Sequence, residues 1–211
     1  MNGSYTLQET YLWAGMNQGL LAVYDAAGAL KIRFEYAGGR MPVSMWYSGT
    51  RYYLTYDQVG TLRSVWTVTS GAAALQREIA YTAFGKVLST TNVNGAFTVN
   101  IPFGFAGGMY DKDTGLVRFG YRDYDPESGR WTAKDPIGFA GGDLSLYGYV
   151  LGNPVNSIDA HGLWSFSLQG GVGIVFRLEL TGGNGQLGLS FGAGFGGGFA
   201  SSLELLENRG Q

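Results

Sequence analysis

The chain has 211 residues and a mass of 22.6 kDa, enough for one sizeable core or two small ones. Its 14 basic and 16 acidic side chains leave a net charge of -2, which excludes a general nucleic-acid binder because no broad positive field is present to neutralise phosphates. Thirty-six glycines, 15% aromatic residues, five prolines, no cysteine and the single histidine His161 exclude a collagen, a coiled coil, simple disorder, a disulfide framework, a thiolate metal site and a multi-histidine one.

In chain order, the start MNGSYTLQET has neither the basic nor the apolar region of a secretory leader, so no cleavable leader is expected. The expectation is a cytoplasmic protein or a fragment of something longer. A unit Y-D-x-x-G-x-L then appears as YDAAGAL at 24–30 and YDQVGTL at 56–62, with weaker forms starting at Tyr81, Tyr110 and Tyr124. The unit combines strand-like aromatic and polar alternation, an aspartate able to cap a turn, and a glycine where the backbone needs a positive φ. Segments LKIRFEYAG, TRYYLTYD and LVRFGYRDYD alternate with period two and are rich in Tyr, Phe, Val and Thr. The reading is all-β, with little helix. A lone hairpin cannot bury its apolar face, so successive hairpins are expected to pair into a long sheet that curls or stacks. A β-sandwich of unrelated hairpins is the alternative.

The run at 110–163 carries the landmarks R-x-Y-D-P-E-S-G-R-W at 122–131, D-P-I-G at 135–138, L-Y-x-Y-V-x-x-N-P-V-N at 146–156 and D-x-x-G-L at 159–163. Together with the upstream units it closely resembles the RHS/YD-repeat proteins, including the C subunits of Tc toxins, over residues 15–163. The resemblance implies YD-repeat hairpins at 1–109 that form part of a curled shell, and a core-associated, autoproteolytic segment at 110–163 that plugs it. A variable effector-position tail follows at 164–211. It further implies an aspartic autoprotease whose residues map onto Asp135 of KDPIG, Asp159 of IDAHGL and Arg122 of GYRDYDP. The bond cut would join Leu163 to Trp164. The family has proline after the second aspartate, where this chain has Ala160, so the cleavage loop loses the stiffening of a fixed φ but keeps its carboxylate.

Residue chemistry agrees with that assignment. Peptide hydrolysis without cysteine, metal or a histidine base can be run by two carboxylates sharing one proton. One activates water while its protonated neighbour donates to the carbonyl oxygen. A nearby arginine holds one aspartate ionised or stabilises the oxyanion. Intramolecularity supplies the proximity, and no cofactor is called for. Each residue also has an ordinary reading: Asp135 opens an Asp-Pro turn, Asp159 caps a turn, and Arg122 pairs across strands.

Two motifs mislead. DKDTGL at 111–116 imitates an EF-hand opening, but its twelfth position is Arg122. The G-x-G-x-x-G at 192–197 leaves too little chain for a βαβ unit. Residues 164–211 hold 13 glycines and only five charged residues. There GIVFRLELT and GQLGLSFGAGF flank TGGNG as a hairpin, and SSLELLEN reads as a short helix. The uncharged run at 180–202 is too broken by glycine for a membrane helix. The tail is open to three readings: a stub of a larger toxin, a small hairpin that inserts in membranes, or a segment packed inside the shell.

The functional expectation is the C-terminal part of an RHS-repeat toxin that releases its own tail, made in the bacterial cytoplasm and then secreted or delivered to target cells. Its expected partners are the cleaved segment, the rest of a shell or other copies of the chain, an immunity protein and a secretion component. A non-catalytic plug retaining its cargo, and a carbohydrate-binding surface protein suggested by the Tyr and Trp content, stand as alternatives.

Overall fold

The YD units are where the chain turns, and the structure, a computed structural model, shows how. In the first unit Asp25 Oδ1 accepts the backbone N–H of Ala27 and of Ala29, both at 2.9 Å, while Gly28 sits at φ +80°. Asp57 repeats the arrangement with Val59 and Thr61, and Thr82 does so with its hydroxyl accepting from Lys86 N–H. The units that begin at Tyr110 and Tyr124 carry one extra residue, and the geometry adjusts. The glycine N–H reaches back one residue further, from Gly115 to Asp111 and from Gly129 to Asp125. The second carboxylate oxygen then takes a hydroxyl, of Thr114 on Asp111 and of Ser128 on Asp125. Bonding by Asp113 N–H and the Thr114 hydroxyl holds the Asp111 carboxyl below its ordinary range. The calcium-like DKDTGL stretch is therefore a hairpin turn that spends its carboxylate on its own backbone.

The structure describes residues 7–15, 19–93, 97–136, 138 and 145–162, and the backbone of 165–170, 174–183, 186–195 and 201–207. Strands β1 (Glu9–Trp13), β2 (Leu20–Asp25), β3 (Leu30–Glu35), β4 (Ser44–Tyr47), β5 (Thr50–Tyr56), β6 (Leu62–Thr69), β7 (Ala72–Tyr81) and β8 (Val87–Asn92) form one sheet in sequence order. This is an open meander, the hairpin strip expected from the repeats. Two of its connections are Ser-Gly pairs with both residues at positive φ, Ser48-Gly49 and Ser70-Gly71, the turn whose twist suits a two-residue hairpin. A second sheet orders β12 (Arg130–Trp131), β11 (Arg122–Asp125), β10 (Val117–Phe119) and β9 (Met109–Tyr110). The third is another meander, β13 (Ser165–Gly170), β14 (Ile174–Gly183), β15 (Gln186–Phe195) and β16 (Ser201–Glu207). The only helical pieces among the described residues are 3-10 turns such as Phe105–Gly107 and Val150–Gly152.

Two expectations are corrected. LVRFGYRDYD is not one strand: Gly120, at φ +52°, breaks it into β10 and β11, which pair back on each other with Phe119 opposite Arg122. SSLELLEN is not a helix: the segment pairs with β15 as β16, with Leu203 opposite Phe191 and Leu205 opposite Leu189.

The chain gathers into two units. One comprises Met1–Thr55, Ser64–Glu78 and Asn92–Phe97. Its interior includes Leu20, Val23, Ile32, Phe34 and Met45, all buried. In it Glu35 accepts from the Ser44 hydroxyl at 2.7 Å and the Trp46 indole at 2.9 Å, which with Arg51 holds its carboxyl below the ordinary range. The other unit comprises Tyr56–Arg63, Ile79–Thr91 and Thr98–Gln211. Its core is aromatic, with Phe105, Phe119, Tyr124, Trp131 and Tyr149 packed together with Val59 and Val117. Ring centroids lie 4.6 Å apart for Tyr124 and Tyr149 and 5.4 Å for Trp131 and Tyr149.

Within that second unit, the turns of two YD units are themselves part of the packing. Val59, from YDQVG, enters the core, and the neighbouring Thr61 hydroxyl accepts the Ala106 N–H at 3.0 Å. Phe84 offers its carbonyl to the Tyr124 hydroxyl at 2.8 Å, and burial pushes that phenol above its ordinary range. Gly85 lies so close to Phe105 that a Cβ there would stand 2.1 Å from the ring.

Candidate functional site

Arg122 opens β11, directly after the Gly120-Tyr121 turn, and is 4% exposed. A guanidinium so deep needs partners for its charge and for its donors. Its plane lies over the Trp131 ring at 4.1 Å from the centroid. Nη2 faces both aspartates of the sequence reading, Asp159 Oδ2 at 3.0 Å and Asp135 Oδ2 at 3.3 Å. Nε donates to the carbonyl of Gly162 at 2.5 Å. Nη1 is buried and has no hydrogen-bond partner among the described residues.

The three residues singled out from sequence thus meet at one nitrogen, although 13 and 37 positions separate Arg122 from Asp135 and Asp159. Side-chain exposures of 12% for Asp135 and 5% for Asp159 place the site away from bulk water. Asp135 is also the turn residue that its Asp-Pro context suggests, since its carbonyl accepts Gly138 N–H at 3.0 Å. The turn and the ion pair use different atoms, so the two readings do not compete. His161 contributes its carbonyl, which accepts Tyr121 N–H at 3.1 Å. Leu163 and Trp164 lie outside the described residues. No three His, Cys, Asp or Glu among the described residues are placed to hold a metal ion.

Three positions were missed in the sequence. Trp131 supplies the face on which the guanidinium lies. Its landmark G-R-W was legible, but only packing brings it under Arg122. Gly120 and Gly162 are the others, and each lies against the partner's backbone. A Cβ at Gly162, φ +66°, would stand 2.5 Å from the Phe119 carbonyl oxygen, and one at Gly120 would stand 2.7 Å from the His161 carbonyl oxygen. Glycine at both positions lets the 161–162 segment dock backbone to backbone on the β10–β11 turn. Replacing Trp131 by Phe keeps an aromatic face but shrinks it. This is expected to lower unfolding free energy by about 1–2 kcal/mol, read from urea melts, the scale of a desolvated cation–π contact plus a small cavity.

Comparison with known proteins identifies the fold. The teneurin YD-shell domain matches residues 7–141. Human Teneurin-4 is 41% identical over 88 residues, covering 42% of this chain and 3% of that protein. Zebrafish Teneurin-3 is 34% identical over 116 residues, 53% of this chain and 4% of that one. The Escherichia coli K12 protein YlbH is 43% identical over 83 residues, 39% of this chain and 33% of its own length. Among solved structures, the Photorhabdus luminescens Tc holotoxin pore superposes with a TM-score of 0.52 at 21% identity, over 74% of this chain and 9% of that one. The chain therefore spans a small part of the relatives it matches. With the YD-shell match running over more than half its length, and hairpin after hairpin built on the Y-D-x-x-G turn, this chain belongs to the YD-shell family and is a segment of an RHS/YD-repeat shell.

Proposed function

We propose that this shell segment carries an intramolecular aspartic protease that cuts the Leu163–Trp164 bond and frees residues 164–211. The observation that carries the reading is the convergence of Asp135 and Asp159 on one buried nitrogen of Arg122, whose Nε also grips the Gly162 carbonyl next to Leu163. An arginine that binds the chain one peptide before the bond and both carboxylates at once puts the reacting groups in a common frame.

The chemistry balances with water as the only co-reactant. One carboxylate takes a proton from water, and the hydroxide adds to the Leu163 carbonyl carbon. The other carboxyl, protonated, donates to the carbonyl oxygen. Arg122 Nη1, which has a donor to spare, stabilises the charge developing on that oxygen. Collapse of the tetrahedral species breaks the C–N bond as the first carboxyl passes its proton to the nitrogen and the second takes one back from a hydroxyl of that species, leaving a Leu163 carboxyl and a Trp164 amine.

In this reading 110–163 is the plug of a shell completed by a longer parent chain or by other copies. The tail is an effector of secreted or delivered toxin type, met in the producing cell by an immunity protein and passed through a secretion component. A second reading rests on the same contacts. Arg122 ties β11, the 135–138 turn and the 159–162 segment together, which a purely structural staple would also do.

Intact mass separates the two. Wild-type protein is expected to yield a fragment ending at Leu163 and another beginning at Trp164, while Asp159→Asn and Asp135→Asn stay whole or slow by at least about a hundredfold, the lower range for losing a general acid or base. A wild type that stays uncut and behaves like Asp159→Asn would leave the staple reading standing and remove the protease.

A further inference from the structure

The third sheet is sorted by row across all four strands. Cross-strand register joins Leu168, Leu178, Phe191 and Leu203 in one row, and Phe166, Leu180, Leu189 and Leu205 in another. The row between them reads Ser167, Glu179, Ser190 and Glu204, and the row on the other side of Leu168 reads Gln169, Arg177, Gly192 and Ser202. Alternation in a strand puts neighbouring rows on opposite faces. One face therefore takes most of the large apolar residues, and the other takes polar, charged and glycine residues, with Val175 and Leu206 as its apolar exceptions. Glu207, at the end of β16, is the one charge that falls on the apolar parity.

Length narrows what such a face is for. β14 and β15 each run ten residues and pair along all ten, about twice the common strand length of a globular sheet. At about 3.3 Å per residue and the tilt usual in a barrel, ten residues rise about 25 Å, the height of the apolar band that a membrane-spanning barrel presents to lipid. Apolar-outward, polar-inward alternation over about ten residues is that architecture's signature.

We propose that the β14–β15 hairpin is a membrane-inserting element. Its apolar rows face the hydrocarbon of a lipid bilayer, and its polar and glycine rows face a water-filled lumen. Among the described residues the meander ends in two open edges, β13 and β16. Open edges cannot persist in hydrocarbon, so insertion requires that several copies pair edge to edge and close a barrel. This reading does not depend on the aspartate site, because a meander still attached to its shell has the same two faces.

The test uses the full chain with dye-loaded vesicles of phosphatidylcholine and phosphatidylglycerol, with cut and intact chain quantified by mass in each preparation. Wild-type protein is expected to release the dye. Leu189→Arg and Ser190→Arg are adjacent positions on opposite faces, and only the first should lose release, by at least tenfold. Loss of release in both alike, or sealed vesicles with wild type in cut and intact form, would overturn the proposal in favour of an apolar face covered by protein. Blocked cutting in Asp159→Asn tests the protease separately, so failure of one reading leaves the other identifiable.

Discussion

Arg122→Leu is expected to be the most disruptive single change in the second unit, lowering unfolding free energy by about 3–5 kcal/mol, because it strands the buried Asp159 carboxylate and the partly buried Asp135 carboxylate without their cation. The leucine fills much of the same space, so the loss comes from charge rather than from a cavity. Asp159 and Asp135, with side chains 5% and 12% exposed, would each lose the guanidinium they contact in a poorly hydrated site. The Gly162 carbonyl would also lose its Nε donor. A compensating variant makes the argument specific. Arg122→Leu combined with Asp135→Asn and Asp159→Asn removes the charges as well, and should recover at least about half of the lost stability. Urea denaturation of the three proteins decides it. A single mutant within about 1 kcal/mol of wild type, or a triple mutant no better than the single, would mean that the network contributes little to holding 159–162 in place. The same single mutant is expected to stay uncut by mass.

The second large effect is expected at Gly85. This residue stands at φ +85°, where an L side chain is strained by about 1–2 kcal/mol, and its Cβ would meet Phe105 at 2.1 Å. Overpacking a core that includes Phe105, Tyr124 and Tyr149 adds about 1–3 kcal/mol. Gly28→Ala supplies the control, because Gly28 occupies the same place in its YD unit at φ +80° with nothing within 4 Å of the added carbon. The difference between Gly85→Ala and Gly28→Ala in urea midpoint thus isolates the packing term from the backbone term. Equal losses would show that Phe105 moves aside at little cost.

That comparison also explains how far the amino-acid order could be read. Gly28, Gly60, Gly85, Gly115 and Gly129 all have positive φ, and all follow from the local pattern, since an aspartate or threonine that bonds the turn's own N–H groups and a residue free to adopt left-handed backbone are neighbours in sequence. Strand alternation, the all-β class and the open meander come from equally local chemistry. The aspartates and the arginine were singled out by the family resemblance that their landmarks carry; read on their own they are turn and cross-strand residues.

What the sequence by itself determined is therefore the set of hairpins and the identity of the charged groups that meet at Arg122. Only the tertiary structure decided where those hairpins pack: that the turn at Gly85 closes on Phe105, that LVRFGYRDYD folds back at Gly120, that Trp131 lies under the guanidinium, and that Gly120 and Gly162 must be bare for 161–162 to dock. The physical reason is range. Turn bonding and alternation act over two to five residues, whereas a guanidinium's partners and the room left for a Cβ depend on atoms that approach from 9 to 43 positions away along the chain.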